Sequence, residues 1–252
     1  MSISMLESQC WGSCQTCSLS SLCLPLALCI NEMKEFDAII TRRRAPLVRG
    51  ENLCRQGESF TNVFAVRSGS FKQIVLDEEG EEQISHFYLP GELIGLESID
   101  EGHYPGFVVA LGRSSVCEIP FQQLDTLAER IPSLRQQLYR SISRGMNEDR
   151  HLIRLLTCKS AEERIASFFL DLGRRFRRSG FAFEHFRLPM SRTDIGSHLG
   201  LALETVSRVL GRLQQQGVIS LHGRELQILR TDELYRLSEK YPSHAGGMGA
   251  LR

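Results

Sequence analysis

The sequence lacks a long apolar run. Its longest, residues 22–30, falls far short of the roughly 20 residues needed to cross a bilayer, so no membrane partner is expected. No basic residue precedes Lys34, which deprives that run of the positive flank a signal peptide carries; the expected location is cytoplasmic. Net charge is missing too, because 30 Lys and Arg balance 30 Asp and Glu. That excludes a uniformly basic nucleic-acid coat. A phosphate-cradling glycine loop and a nucleophile–base pair are also absent, which argues against an enzyme. With 24% charged and 42% hydrophobic residues, extended disorder and collagen-like repeats are excluded as well.

The charge balance hides an asymmetry. From position 160 onward there are 14 basic and 10 acidic residues, leaving 16 and 20 before it. An anionic partner is therefore expected to meet the C-terminal third. At roughly 150 residues per domain, 252 residues suggest about two domains.

Five of the eight cysteines crowd into residues 10–29: Cys10, Cys14, Cys17, Cys23 and Cys29. In a chain kept reduced, such a cluster needs a reason other than disulfides. Thiolates this close together suit a soft metal or an iron–sulfur cluster. Structural zinc usually takes two close Cys-x2-Cys pairs, and only Cys14 and Cys17 form one here. Iron–sulfur, zinc and metal-free reactive thiols all remain open on spacing alone. Cys54 and Cys158 read as small buried apolar residues.

Along residues 47–120 glycines recur at about one per short apolar segment, the pattern of a small jelly-roll-like β-barrel. Helical signals begin at 121–130, and Pro132 suits the first turn of a helix over 132–157. On that helix Leu138, Ile142, Met146, Asp149, Leu152, Ile153 and Leu156 form a narrow stripe. It predicts a homodimer seam of coiled-coil type; the alternative is a helix lying on its own barrel. Asp149 is the odd member, since a two-fold axis would bring two carboxylates together.

A further helix is expected over 161–178, ending in Arg174, Arg175, Arg177 and Arg178. Residues 191–217 then read as helix, Gly200 turn, helix. Ser191 or Thr193 can cap the first helix, 192–199. On the second, 203–216, Val206, Val209, Leu210 and Leu213 share an inward face, while Glu204, Ser207 and Arg208 share the other. Arg208 can bond guanine bidentately and Glu204 can accept from a cytosine amino group, with Ser207 adding a base or phosphate bond. Arg192, Thr193 and Arg212 complete the candidate contacts to double-stranded DNA. Residues 218–221 and 226–229 predict a hairpin wing. The fold class is thus α+β: a barrel at 31–131, a dimerisation helix at 132–158 and a winged helix-turn-helix at 159–240. An N-terminal metal-binding segment at 1–30 and a disordered tail at 241–252 flank them.

Four strings carry a resemblance: Cys-Gln-Thr-Cys-Ser-Leu-Ser-Ser-Leu-Cys (14–23), Ser-Val-Cys-Glu-Ile-Pro-Phe (115–121), Ala-Glu-Glu-Arg-Ile-Ala (161–166) and Glu-Thr-Val-Ser-Arg-Val-Leu-Gly-Arg (204–212). Together they resemble the fumarate and nitrate reductase regulator (FNR) branch of the cyclic-AMP receptor protein superfamily, over residues 10–237. The resemblance implies an oxygen-labile [4Fe–4S] cluster on Cys14, Cys17, Cys23 and Cys117, which oxygen converts to a [2Fe–2S] form or strips. Cys10 and Cys29 are extra. It also implies a cluster-gated dimer, TTGAT-like half-sites and oxygen as the signal. The turn Asp77, Glu78, Glu79, Gly80, Glu81 and Glu82 resembles the family's RNA-polymerase-contacting loop. No cyclic nucleotide is expected. Gly95-Leu96 stands where nucleotide-binding relatives have Gly-Glu, and Tyr104-Pro105 where they have Arg-Ser. A buried phosphate would then lack a partner, at a cost of several kcal/mol. His86 and His103 leave haem as a remaining possibility, although each reads as a surface or core histidine.

Overall fold

The computed structural model describes residues 14–20, 23–40, 42–43, 45–76 and 79–238. Cys10, Asp77, Glu78 and the tail 241–252 lie outside them. The chain divides into two compact units, residues 1–150 and 151–252.

The first unit opens with two short 3₁₀ turns, Cys14–Thr16 and Leu24–Ala27, and helix α1, Ile30–Ile39. Eight strands follow: β1 (Arg42–Arg43), β2 (Asn52–Cys54), β3 (Asn62–Ser68), β4 (Phe71–Leu76), β5 (Glu82–Tyr88), β6 (Leu93–Ile94), β7 (Phe107–Ala110) and β8 (Ser115–Pro120). They form two antiparallel sheets, ordered β1-β8-β3-β6 and β2-β7-β4-β5. Side chains alternate faces along a strand, and β3 uses both. Phe64 and Val66 join Phe71, Tyr88, Ile94 and Val116 inside the barrel. Val63 and Ala65 point the other way, into a second core built from Cys14, Leu24, Leu28, Phe36 and Ile119. The sequence did not show that the N-terminal segment and α1 would cover this outer face.

Helix α2 (Phe121–Arg130) leads to α3 (Pro132–Cys158). At about 1.5 Å per residue, α3 is roughly 40 Å long. Its first turns belong to the outer core, where Leu134 is fully buried and Leu138 is 8% exposed. Leu138 therefore departs from the expected stripe, since its side chain is spent on the chain's own barrel. The stripe that does face outward is Tyr139, Ile142, Met146 and Ile153, with Asp149 exposed in register. Leu152 and Leu156 are half-buried. Tyr139 was not anticipated.

The second unit contains α4 (Ala161–Arg178), β9 (His185–Arg187), α5 (Arg192–Leu199), α6 (Leu203–Gln215), β10 (Ile219–His222), β11 (Glu225–Ile228) and α7 (Thr231–Ser238). Helix α4 starts at a reciprocal cap: Ser160 Oγ accepts from the Glu163 amide at 3.4 Å, and Glu163 Oε2 accepts from the Ser160 amide at 2.9 Å. Its inner face is apolar. Ile165, Phe169 and Leu172 are fully buried, and truncating a residue such as Phe169 to Ala costs about 3–5 kcal/mol. The wing is a three-stranded sheet, β10-β11-β9, rather than the two-stranded hairpin expected.

One other expectation changes. Cys158 is exposed, beside the Thr157 hydroxyl, because it closes α3 instead of packing inward; Cys54 is buried as expected. The arginine run on α4 is divided. Arg175 is buried against Asp171 at 3.7 Å, Arg177 lies over the Phe183 ring at 4.6 Å, and Arg174 is solvated.

Candidate functional sites: a cysteine pocket and a DNA-reading helix

Cys117 sits on β8 opposite Ala65 of β3 and shares the outward parity of Ile119. Alternation thus aims it at the N-terminal segment, not into the barrel. Cys14, Cys17, Cys23 and Cys117 all line one small pocket there, with Arg67 and Phe36. The loop that carries the first three is tied locally. The Cys17 amide donates to the Cys14 carbonyl at 3.4 Å, and the Cys23 amide to Leu19 at 3.0 Å. It is also anchored to α1, where Asp37 Oδ1 accepts from the Cys14 amide at 3.1 Å.

Burial shapes the thiol chemistry. It pushes the Cys14 thiol well above the ordinary range, helped by a hydrogen bond to Asp37 and by Cys117 and Cys23 nearby. The Cys23 thiol is pushed up to about 12, again by burial first, against a backbone hydrogen bond from Leu24 that lowers it. The buried Cys14 and Cys23 thiols therefore favour their protonated forms, and a metal must displace those protons. Among the described residues, no three His, Cys, Asp or Glu side chains are placed to grip a single metal ion. The donor set is nevertheless all sulfur, gathered around one pocket, with a guanidinium beside it to offset anionic charge. That chemistry fits a polynuclear iron–sulfur group, in which each iron takes one thiolate. Cys29 stands apart: it is exposed at the start of α1, its amide donating to Glu32 Oε2 at 2.8 Å.

In the second unit, Ser191 rather than Thr193 caps α5. Its hydroxyl accepts from the Asp194 amide at 3.1 Å, and Asp194 Oδ2 accepts from the Ser191 amide at 2.8 Å. Arg192 and Thr193 are left exposed in the first turn. Gly200 ends α5 with φ +60°, the left-handed conformation that favours glycine. Gly196 is needed for a different reason. A Cβ there would lie 2.5 Å from the Leu201 carbonyl, so α5 and the turn leading into α6 close on a backbone contact. Arg164 fastens the turn from α4, donating to the carbonyls of Leu199, Leu156 and Lys159 at 2.8–2.9 Å.

On α6, Val206, Val209, Leu210 and Leu213 are buried as the sequence predicts. Glu204 and Arg208 are exposed, and Ser207 is half-buried beside them. Arg208 donates to Thr205 Oγ1 at 3.2 Å, a support the sequence did not reveal. Arg212 is different: its Nη1 lies 3.7 Å from Glu162 Oε2 on α4. The pair links α6 to α4, and the Arg212 guanidinium stays half exposed.

Residues 163–237 match the model of the Crp-like helix-turn-helix domain. Residues 45–131 match that of the cyclic nucleotide-binding domain. The chain is 51% identical over 225 residues to the transcriptional activator protein Anr of Pseudomonas aeruginosa, covering 89% of this chain and 92% of that one. It is 44% identical over 225 residues to the fumarate and nitrate reduction regulatory protein of Escherichia coli, covering 89% and 90%. The chain is an FNR-type regulator of the cyclic-AMP receptor protein superfamily. A solved relative, FixK2 from Bradyrhizobium japonicum, superposes with a TM-score of 0.73 at 29% identity, over 80% of this FNR-type chain and 98% of its own. A β-roll, a long helix and a helix-turn-helix are the family's fold, and the regulator binds DNA rather than catalysing a reaction. No helix among its described residues is long and apolar enough to cross a membrane.

Proposed function

We propose that this regulator senses oxygen through a [4Fe–4S] cluster held by Cys14, Cys17, Cys23 and Cys117, and that the loaded form binds DNA as a homodimer in the cytoplasm. The observation that carries the reading is the convergence of these four thiols on one pocket beside Arg67. When bound, the cluster supplies an oxygen-labile group. The remaining steps belong to the chain. As thiolates the four cysteines would hold that group, and Cys14, Cys17 and Cys23 would thereby be tied to Cys117 on β8. Tyr139, Ile142, Met146 and Ile153 meet their counterparts across a two-fold axis, where Asp149 opposes pairing by repulsion and desolvation.

Each protomer then presents α6 to one half-site of a TTGAT-like palindrome, the two about 34 Å apart. Glu204 and Arg208 read bases, Ser207 adds a base or phosphate bond, and Arg192 and Thr193 meet phosphates. The exposed turn from Glu79 to Glu82 faces RNA polymerase. Cyclic nucleotide is not the signal. Tyr104 is committed to the barrel core, its hydroxyl donating to the Asn62 carbonyl at 2.7 Å, and Pro105 offers no donor.

The test is an anaerobic absorption spectrum followed by a DNA-binding assay before and after air. Broad visible absorption that bleaches together with loss of binding supports the reading. A colourless zinc protein that binds DNA equally in air overturns it.

A further inference from the structure

Arg212 takes no part in the steps above, although it stands on the DNA-reading helix. It follows Glu204 and Arg208 at steps of four along α6, so the three share one side of that helix. Its guanidinium is half exposed, and Nη1 lies 3.7 Å from Glu162 Oε2 on α4, too far for a good hydrogen bond. Other arginines of the second unit are held more tightly. Arg164, Arg224 and Arg230 donate to the carbonyls of Leu199, Pro189 and Gly217 at 2.9–3.2 Å, which makes them ties between segments. Arg212 instead faces a carboxylate, and loosely.

Glu162 is the fixed half of the pair. Its side chain is 19% exposed against 50% for Arg212, and its Oε1 is buried with no hydrogen-bond partner among the described residues. It lies in the first turn of α4, where the helix dipole favours a negative charge. A recessed carboxylate with one oxygen already unpaired depends on the guanidinium for its compensation. When Arg212 swings to a phosphate, Glu162 is left uncompensated, and that cost falls on the DNA complex.

We propose that Glu162 is a positioning residue that holds Arg212 back from the DNA backbone, so that each reading head binds duplex DNA of any sequence more weakly than its cations alone would allow. Phosphate contacts carry no sequence information. The restraint therefore weakens specific and random DNA by the same factor and leaves base reading by Glu204, Ser207 and Arg208 untouched. It keeps a single head from occupying DNA by charge alone, which leaves the decision to base contacts and to the second head. The proposal rests on the DNA-binding role of α6 and not on the cluster.

The experiment is fluorescence anisotropy with the full-length chain, reconstituted anaerobically, across a salt series. The probes are a random-sequence duplex and a duplex carrying a TTGAT palindrome; the chains are the natural one, Glu162→Gln, Arg212→Ala and the double variant. Glu162→Gln tightens both duplexes by about fivefold, the upper worth of a half-exposed ion pair. It also steepens the fall of log K with log salt by about one. In the Arg212→Ala background the gain shrinks below about twofold. Unchanged binding by Glu162→Gln, or a gain of full size without Arg212, overturns the proposal. So does a gain confined to the TTGAT duplex, which would make Arg212 a base reader. A natural chain without preference for the TTGAT duplex would count against the half-site reading, and the random duplex would still decide this proposal. Should Glu162→Gln not fold, Glu162→Ala takes its place, with the same outcomes expected.

Discussion

The guanidinium of Arg164 donates through Nη1 to the carbonyl of Leu199 at 2.9 Å, so the last turn of α5 is capped by a side chain from α4. The same group satisfies Leu156 and Lys159. Charge-assisted bonds of this kind contribute about 1.5–3 kcal/mol each, though not additively.

Arg164→Ala is therefore expected to destabilise residues 151–252 by roughly 3 kcal/mol, leaving three carbonyls short of donors. Thermal melting of the variant, followed by binding to specific DNA, checks this. A melt unchanged within about 0.5 kcal/mol would show that water replaces the guanidinium.

Replacing any of Cys14, Cys17, Cys23 or Cys117 by Ser should abolish cluster retention, measured as iron and sulfide per chain after anaerobic reconstitution. Cys29, Cys54 and Cys158 variants should retain it. Full iron in Cys117→Ser would remove the barrel cysteine from the set and make Cys10 or Cys29 the candidate.

Arg208→Ala should cost about 1–3 kcal/mol on the specific site and relax discrimination at one base pair. Arg212→Ala should instead weaken specific and random DNA alike, because its partner is Glu162. Competition binding on a panel of single-base variants separates the two patterns.

Asp149→Ala should pair in air, with little or no cluster. Sedimentation of the aerobic protein is the measurement, and a monomer like the natural chain would sink the idea. Although Asp149 is exposed overall, partial desolvation raises its carboxyl above the ordinary value. Acidification through the carboxylate range should accordingly strengthen pairing of the natural chain, and Asp149→Ala should lose that response.

Glu163 supplies the opposite pH signature. Its carboxyl is held below the ordinary range by the Ser160 hydroxyl first and by the Ser160 amide and Lys159 as well, against burial. The group adds stability above the unfolded carboxylate range, and that contribution is lost as pH falls through the folded value. Ser160→Ala should cost about 1 kcal/mol at neutral pH and less in acid, read from melts across the pH series.

The parts most legible in the sequence were those with a strong local signal. Helices α2 to α6 follow from their periodicity, and the outer face carrying Glu204, Ser207 and Arg208 from 3.6-residue spacing alone. What stayed hidden depends on distant partners. The roles of Asp37, Arg67, Thr205 and Glu162 are set by what lies across a strand, a helix turn or a helix pair, and no spacing rule reports that. Leu138 was misplaced because an apolar stripe does not say which surface will cover it. Strand β9 was missed because three residues carry too little pattern to stand out.

The contact between Gly196 and the Leu201 carbonyl also bears on how such a regulator can change over time. Any side chain at 196 would press on the turn that leads into the second helix, so the frame of the reading head is closed to drift at that position. Glu204, Ser207 and Arg208 lie outside the frame, with their neighbours Val206, Val209 and Leu210 doing the packing. New DNA preferences can thus be sampled by surface substitutions that leave the architecture and its stability almost untouched, which makes target choice the most evolvable property of this chain.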